Sequence, residues 1–200
     1  MQRSRSKPGQ SKFPPNPKQW DAERNGLSIR SAFTKALHLP LDPFDIAGRT
    51  PGVKLLTRDE VEPIVGRDNA ESLYSTHRTK WSGFVVPVDD LHLIVLNSTH
   101  ALSRQHATLT EELFHIRLRH QPCKLSLCPI TGIMKREYTS VIEKEAYHSA
   151  AAALVPYFTL REMLKSGETI ESIAEFFHVS VPLVEMRMKM TRLLRRSATS

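Results

Sequence analysis

The chain has 200 residues, 40% hydrophobic and 24% charged, which suits one globular domain, or one domain with a small appendage, and supplies enough apolar material for a core. No apolar run approaches the roughly 20 residues that a bilayer span needs, the opening "MQRSRSKPGQSKFPPNPK" lacks the apolar segment of a secretory signal, and Cys123 and Cys128, the two cysteines, make no disulfide framework, so the expectation is a cytoplasmic protein with no membrane role. A formal net charge of +7, much of it near the two ends, favours association with nucleic acid but equally suits basic tails that keep the protein in solution.

Residues 1–22 are rich in Pro, Ser, Lys and Arg without periodicity and read as a disordered basic tail. From Leu27 to Leu39, "LSIRSAFTKALHL" sets Ile29, Phe33, Ala36 and Leu37 at helical spacing and predicts a helix stopped by Pro40. "LDPFDIAGRTPGVKLLT" predicts a short helix leading through Gly48 and "TPG" into a strand around Val53 to Leu56. The apolar runs "SGFVVPV" and "LHLIVLN", separated by Asp89-Asp90, predict a β-hairpin, and Pro87 puts the first of them at an edge or a bulge. Ser103 to about Arg119 is helical by pattern, and "HQPCKLSLCPITG" breaks it. A second helix runs from Val141 to Val155, ending before Pro156. A third zone, Phe158 to Leu164, precedes the compact pair "TIESIAEFFHV" and "PLVEMRMKMTRLLRR". The resulting division is 1–22, 23–157 and 158–200.

Chemistry concentrates in "ATLTEELFHIRLRH". Residues i and i+4 share a helix face, so Glu111 and His115 point the same way, with Glu112 the next residue round. In an HExxH helix two such positions hold a metal ion and the intervening glutamate is the general base; here the first imidazole is replaced by a carboxylate. By itself such a pattern is more often a solvated helix face. The second helix adds weight, because in "VIEKEAYHSAAAALVP" Glu143 shares a face with Ala146, Tyr147, Ala150 and Leu154, where a carboxylate is costly unless it is paired or binds an ion. The small residues Ser149 to Ala153 let this helix approach another closely. Glu111, His115 and Glu143 would then form a three-ligand open site; the alternative is an ion pair between Glu143 and Arg104 or Arg117. Glu145 reads as solvent-facing.

Cys123 and Cys128 read as structural, since no second ligand pair stands at zinc-site spacing. His106, His120 and His148 are alternative ligand candidates but read as surface residues; His120, five positions after His115, is turned off its face. "IESIAEFFHVSVPLVEMRM" has a helix-turn-helix pattern, with Ile170, Ile173, Ala174 and Phe177 packing the first helix, Val184 and Met188 the second, and Ser180 a plausible N-cap. It would present Arg187, Lys189 and Arg192 to DNA, or else serve as a packing module or a docking surface for a protein.

Taken together these segments resemble the ImmA/IrrE family of metallopeptidases. "LNSTHALSRQHATLTEELFHIRLRH" is similar to that family's metal-binding helix, with Asn97, Arg104, Thr108, Leu109, Glu112, Leu113 and His115 on matching positions, and "EKEAYHSAAAALVP" to its glutamate helix, with Glu143, Ala146, Ala151, Leu154 and Pro156 in register. The resemblance covers roughly residues 39–194. It implies an α+β, zincin-like fold over residues 23–157: a short antiparallel sheet, a metal-binding helix and a glutamate helix, followed by helix-turn-helix-like C-terminal helices. It implies an endopeptidase acting on helix-turn-helix transcriptional repressors, with His115 and Glu143 as metal ligands, Glu112 as general base and zinc as the ion.

Three residues depart from the pattern: Glu111 for the first histidine, Phe114 for a small residue, and Tyr147 for an asparagine. Glu111 can still ligate zinc, but a second carboxylate makes the ion a poorer Lewis acid and suits Mn2+ or Fe2+ better than an all-histidine set would. Phe114 would add bulk beside the metal. A slower, differently metallated or inactive enzyme all follow from these departures, and the alternative function is a non-catalytic relative that binds a regulator or DNA.

Overall fold

The computed structural model describes residues 11–122, 124–127 and 134–196; the expectation for Cys123 and Cys128 lies outside the described residues. The fold is α+β, as the sequence suggests. A 3-10 turn, Pro17–Gln19, leads into α1, Trp20–Phe33, which begins earlier and ends earlier than the expected Leu27 to Leu39. The physical reason is Arg30. Its side chain is fully buried and donates from Nε to the Leu37 carbonyl at 2.8 Å and from Nη2 to that of Leu39. These carbonyls are thus satisfied by a guanidinium rather than by a continuing helix, and Thr34 is already extended.

Helix α2, Pro43–Arg49, is capped by the Asp42 carboxylate, which accepts from Phe44 N at 2.9 Å. It leads to β1, Val53–Leu56. Two helices follow that periodicity does not reveal, α3 (Arg58–Val65) and α4 (Arg67–Tyr74). The expected hairpin is β2, Gly83–Val88, and β3, Leu91–Leu96, paired antiparallel with Gly83 opposite Leu96. The sheet order is β1-β3-β2, so β2 with its Pro87 is an edge strand. β1 joins β3 in parallel, Val53 opposite His92. The sheet is therefore mixed rather than antiparallel, because α3 and α4 carry the chain across between β1 and the hairpin.

Helix α5, Leu102–Arg117, packs on this sheet, and a separate antiparallel pair, β4 (Lys124–Leu127) and β5 (Met134–Glu137), follows. Next come α6 (Ser140–Leu154), α7 (Tyr157–Lys165), α8 (Ile170–Phe176) and α9 (Val181–Thr191). Helix α6 divides its alanines between two cores. Ala146, Ala150 and Ala153 join the core made with α1, α2, α5 and the sheet, while Ala151 and Leu154 join that of α7 to α9. The small-residue stripe serves α1 most closely: a Cβ on Gly26 would stand 2.8 Å from Ala152 C and Ala153 N. No helix among the described residues is long and apolar enough to cross a membrane.

Candidate metal centre

Helices α5 and α6 build the site. Along α5, Leu109, Leu113 and Phe114 are buried in the core, which turns Glu111, Glu112 and His115 toward the gap between α5, α6 and β2. Thr139 caps α6 by accepting from Ile142 N at 3.4 Å, and this start places Glu143 in the first turn, across from α5. One atom each of Glu111, His115 and Glu143 lies within 4.8 Å of the others, the one such grouping of three among the described residues. His115 Nε2 is 3.6 Å from Glu143 Oε2. These side chains share a cleft of about 330 Å³ with Glu112, Tyr138 and the β2 residues Gly83 to Val85. Gly83 is required there: a Cβ would meet Thr108 Cγ2 at 2.7 Å and Leu96 Cδ2 at 2.9 Å, so its absence lets the edge strand close down on α5. A larger, mostly apolar cavity of about 540 Å³ between α1 and α7 gathers no comparable set of ligands.

The electrostatics set two carboxyls against burial and against each other. Burial, and then the negative charge of Glu143, push the Glu111 carboxyl up to about 7, and burial also raises Glu143. Burial followed by the Glu111 charge raises the Tyr147 phenol. Zinc bonds to nitrogen and oxygen are about 2.0–2.2 Å, so donors around one ion stand up to about 4 Å apart, close to the spacing of this cluster. Two carboxylates and an imidazole converging in one cleft fit a divalent ion. The competing ion pairs are not formed, since Arg104 donates to Ser82 Oγ at 2.8 Å and Arg117 to Ser28 Oγ at 2.9 Å.

The residues around His115 depart from expectation. Phe114 is fully buried in the core and does not line the cleft, because α5 points consecutive residues about 100° apart. Tyr138, which the spacing of motifs does not single out, stacks on the His115 ring with centroids 4.0 Å apart and planes at 24°. His120 is not a surface residue either; its Nδ1 lies 3.1 Å from His115 Nδ1 and its Nε2 lies 3.5 Å from Glu145 Oε2. His106 is also buried, its ring edge-on to Phe44 and its pKa lowered chiefly by desolvation. Only part of the His148 ring reaches solvent, and burial lowers its pKa as well.

Helices α8 and α9 form the expected pair, with Ile173, Phe177, Val184 and Met188 buried together. Arg187, expected to face a partner, is instead fully buried. It is paired with the equally buried Glu23 of α1 and donates from Nε to the Val155 carbonyl at 3.0 Å. The buried guanidinium finds its counter-charge there, although its Nη1 is buried without a hydrogen-bond partner. Lys189 and Arg192 are exposed, Arg192 closing α9 in a left-handed conformation.

A peptidase family model described as the IrrE N-terminal-like domain matches residues 63–189, a span that runs from within α3 to near the end of α9. Comparison with curated proteins and with solved structures finds no significant match.

Proposed function

The chain belongs to the IrrE N-terminal-like peptidase family, and from that premise we propose that it is a metal-dependent endopeptidase that cuts a helix-turn-helix repressor. The observation that carries this reading is the convergence of Glu111, His115 and Glu143, with Glu112 beside them, in one cleft against an edge strand. Glu111, His115 and Glu143 would hold a divalent ion, zinc ahead of manganese or iron, which would supply Lewis-acid polarisation of a peptide carbonyl and acidify a water.

Glu112 accepts the proton of the attacking water and returns it to the departing amine. β2 ends its sheet, with β5 packed against it, and an extended segment of the substrate would lie along the cleft beside Gly83 to Val85. Tyr138, lying flat on His115, holds that ring in plane.

Metal content by elemental mass spectrometry tests the site. Wild type incubated with zinc, manganese or iron should carry about one equivalent, and His115→Ala and Glu143→Ala should each lose it; unchanged content in both removes the centre. Glu112→Gln should keep the metal and lose cleavage of a repressor by about 10²–10⁴-fold.

The second reading, a non-catalytic relative that binds a regulator or DNA, is favoured by Glu111, whose extra negative charge weakens the ion as a Lewis acid. A metal-loaded wild type that binds a repressor without cutting it would select this alternative.

A further inference from the structure

We propose that His120 and Glu145 are positioning residues for His115, forming an outer chain that fixes the tautomer and orientation of this ligand; the inference rests on the metal-centre reading above. Its basis is how α5 ends. His120 N donates to the His115 carbonyl at 3.0 Å and Arg119 N to the Ile116 carbonyl at 3.1 Å, while Arg119 itself is left-handed at φ 54°. These are the two crossed bonds of a Schellman motif, which folds the chain back so that the residue after the left-handed one lies over the residue five positions earlier. An apolar pair is the usual occupant of those two positions; here they hold two imidazoles, their Nδ1 atoms 3.1 Å apart.

The proton positions follow from that geometry. His115 Nε2 faces Glu143 and the site. When Nε2 gives its lone pair to an ion, the ring proton sits on Nδ1 and is donated to His120 Nδ1. His120 Nδ1 must then be bare, which puts the His120 proton on Nε2, facing Glu145 Oε2 at 3.5 Å. That Nε2 is buried and makes no formed hydrogen bond as it stands, so a closure of a few tenths of an ångström by the half-exposed Glu145 side chain would complete the chain. The His115 and His120 side chains are 4% and 7% exposed, leaving little room for water to do the same work. A ligating imidazole that donates its second N–H is held in orientation and made more basic, and loss of such an outer partner typically weakens metal affinity by about 10–100-fold.

The test is Zn2+ affinity of the chelator-stripped full chain, measured by competition with a chromophoric chelator. His120→Leu keeps bulk but removes the acceptor and should bind Zn2+ about 10–100-fold more weakly than wild type. His120→Asn, whose Oδ1 stands in for Nδ1, should recover most of the loss. Wild-type affinity in His120→Leu overturns the inference and leaves the metal centre standing. Equal weakness in the Leu and Asn variants also overturns it, since the side chain then acts by packing alone. If His120→Leu does not fold, as judged by circular dichroism, Glu145→Leu decides: it should weaken Zn2+ binding in the same direction, and unchanged affinity overturns the chain. A wild type that takes up no Zn2+ overturns the metal centre itself and this inference with it.

Discussion

Glu111 carries a cost in the metal-free protein that it would not carry with an ion bound. Its carboxyl is raised to about 7 in the fold, against 4.5 as the ordinary value, so the folded state holds a proton that the unfolded chain has released. Stability of the metal-free protein therefore falls as pH rises from about 4.5 through 7, by at most about 3 kcal/mol. Urea denaturation in chelator at pH 5 and pH 8 should show this loss, and Glu111→Gln should remove most of it. The same proton competes with the ion, so metal affinity should fall by about tenfold per pH unit below 7, which equilibrium dialysis would read. The triad was legible because Glu111 and His115 stand one helical turn apart and Glu143 lies on an otherwise apolar face. His120 was not, because a helical-wheel argument ends with the helix: beyond Arg117 the left-handed Arg119 sets the direction. Tyr138 precedes the α6 cap and belongs to no periodic pattern, so only folding brings it onto His115.

Among the elements, those with long or regular apolar patterns, the hairpin and helices α5, α6, α8 and α9, could be read from the sequence. Helices α3 and α4 could not, since Gly66 divides the stretch into two runs of eight residues each, the first with Pro63 inside it, too short for a 3.6-residue period to stand out. The available signal was the capping box, in which Thr57 Oγ1 accepts from Glu60 N and the Glu60 carboxylate accepts from Thr57 N at 2.9 Å. The alanine stripe of α6 correctly announced a close helix contact, although the neighbour that presses most tightly on it is α1. Gly26→Ala would drive a methyl against the α6 backbone and should destabilise the protein by about 1–3 kcal/mol. Thermal melting would show the shift, and because α6 carries Glu143, metal affinity should fall alongside it.

Across the whole molecule, one buried ion pair ties the first helix to the last. Glu23 accepts from Arg187 through Oε1 and from Tyr157 N at 3.3 Å through Oε2, joining α1, α7 and α9. Arg187→Ala leaves the Glu23 carboxylate buried without its cation and should cost about 3–5 kcal/mol, whereas Lys189→Ala, at an exposed position, should change stability by less than about 0.5 kcal/mol. Denaturant midpoints separate the two. A basic residue on an apolar-patterned helix has no sequence mark to tell a core guanidinium from a partner-facing one, which is why Arg187 read as a contact residue.

The tie between α1 and α9 also bears on where the protein can be cut. The family match spans residues 63–189, yet α6 leans on Gly26, and Arg187 on Glu23, both upstream of it. A fragment trimmed to the matched span would also leave β3 without its parallel neighbour β1, baring a strand edge together with an alanine-rich helix face. Such a fragment should be recovered as aggregate. The portion of a chain by which kinship is recognised can thus be shorter than the portion able to live independently, and here the difference is α1, α2, β1 and the start of α3.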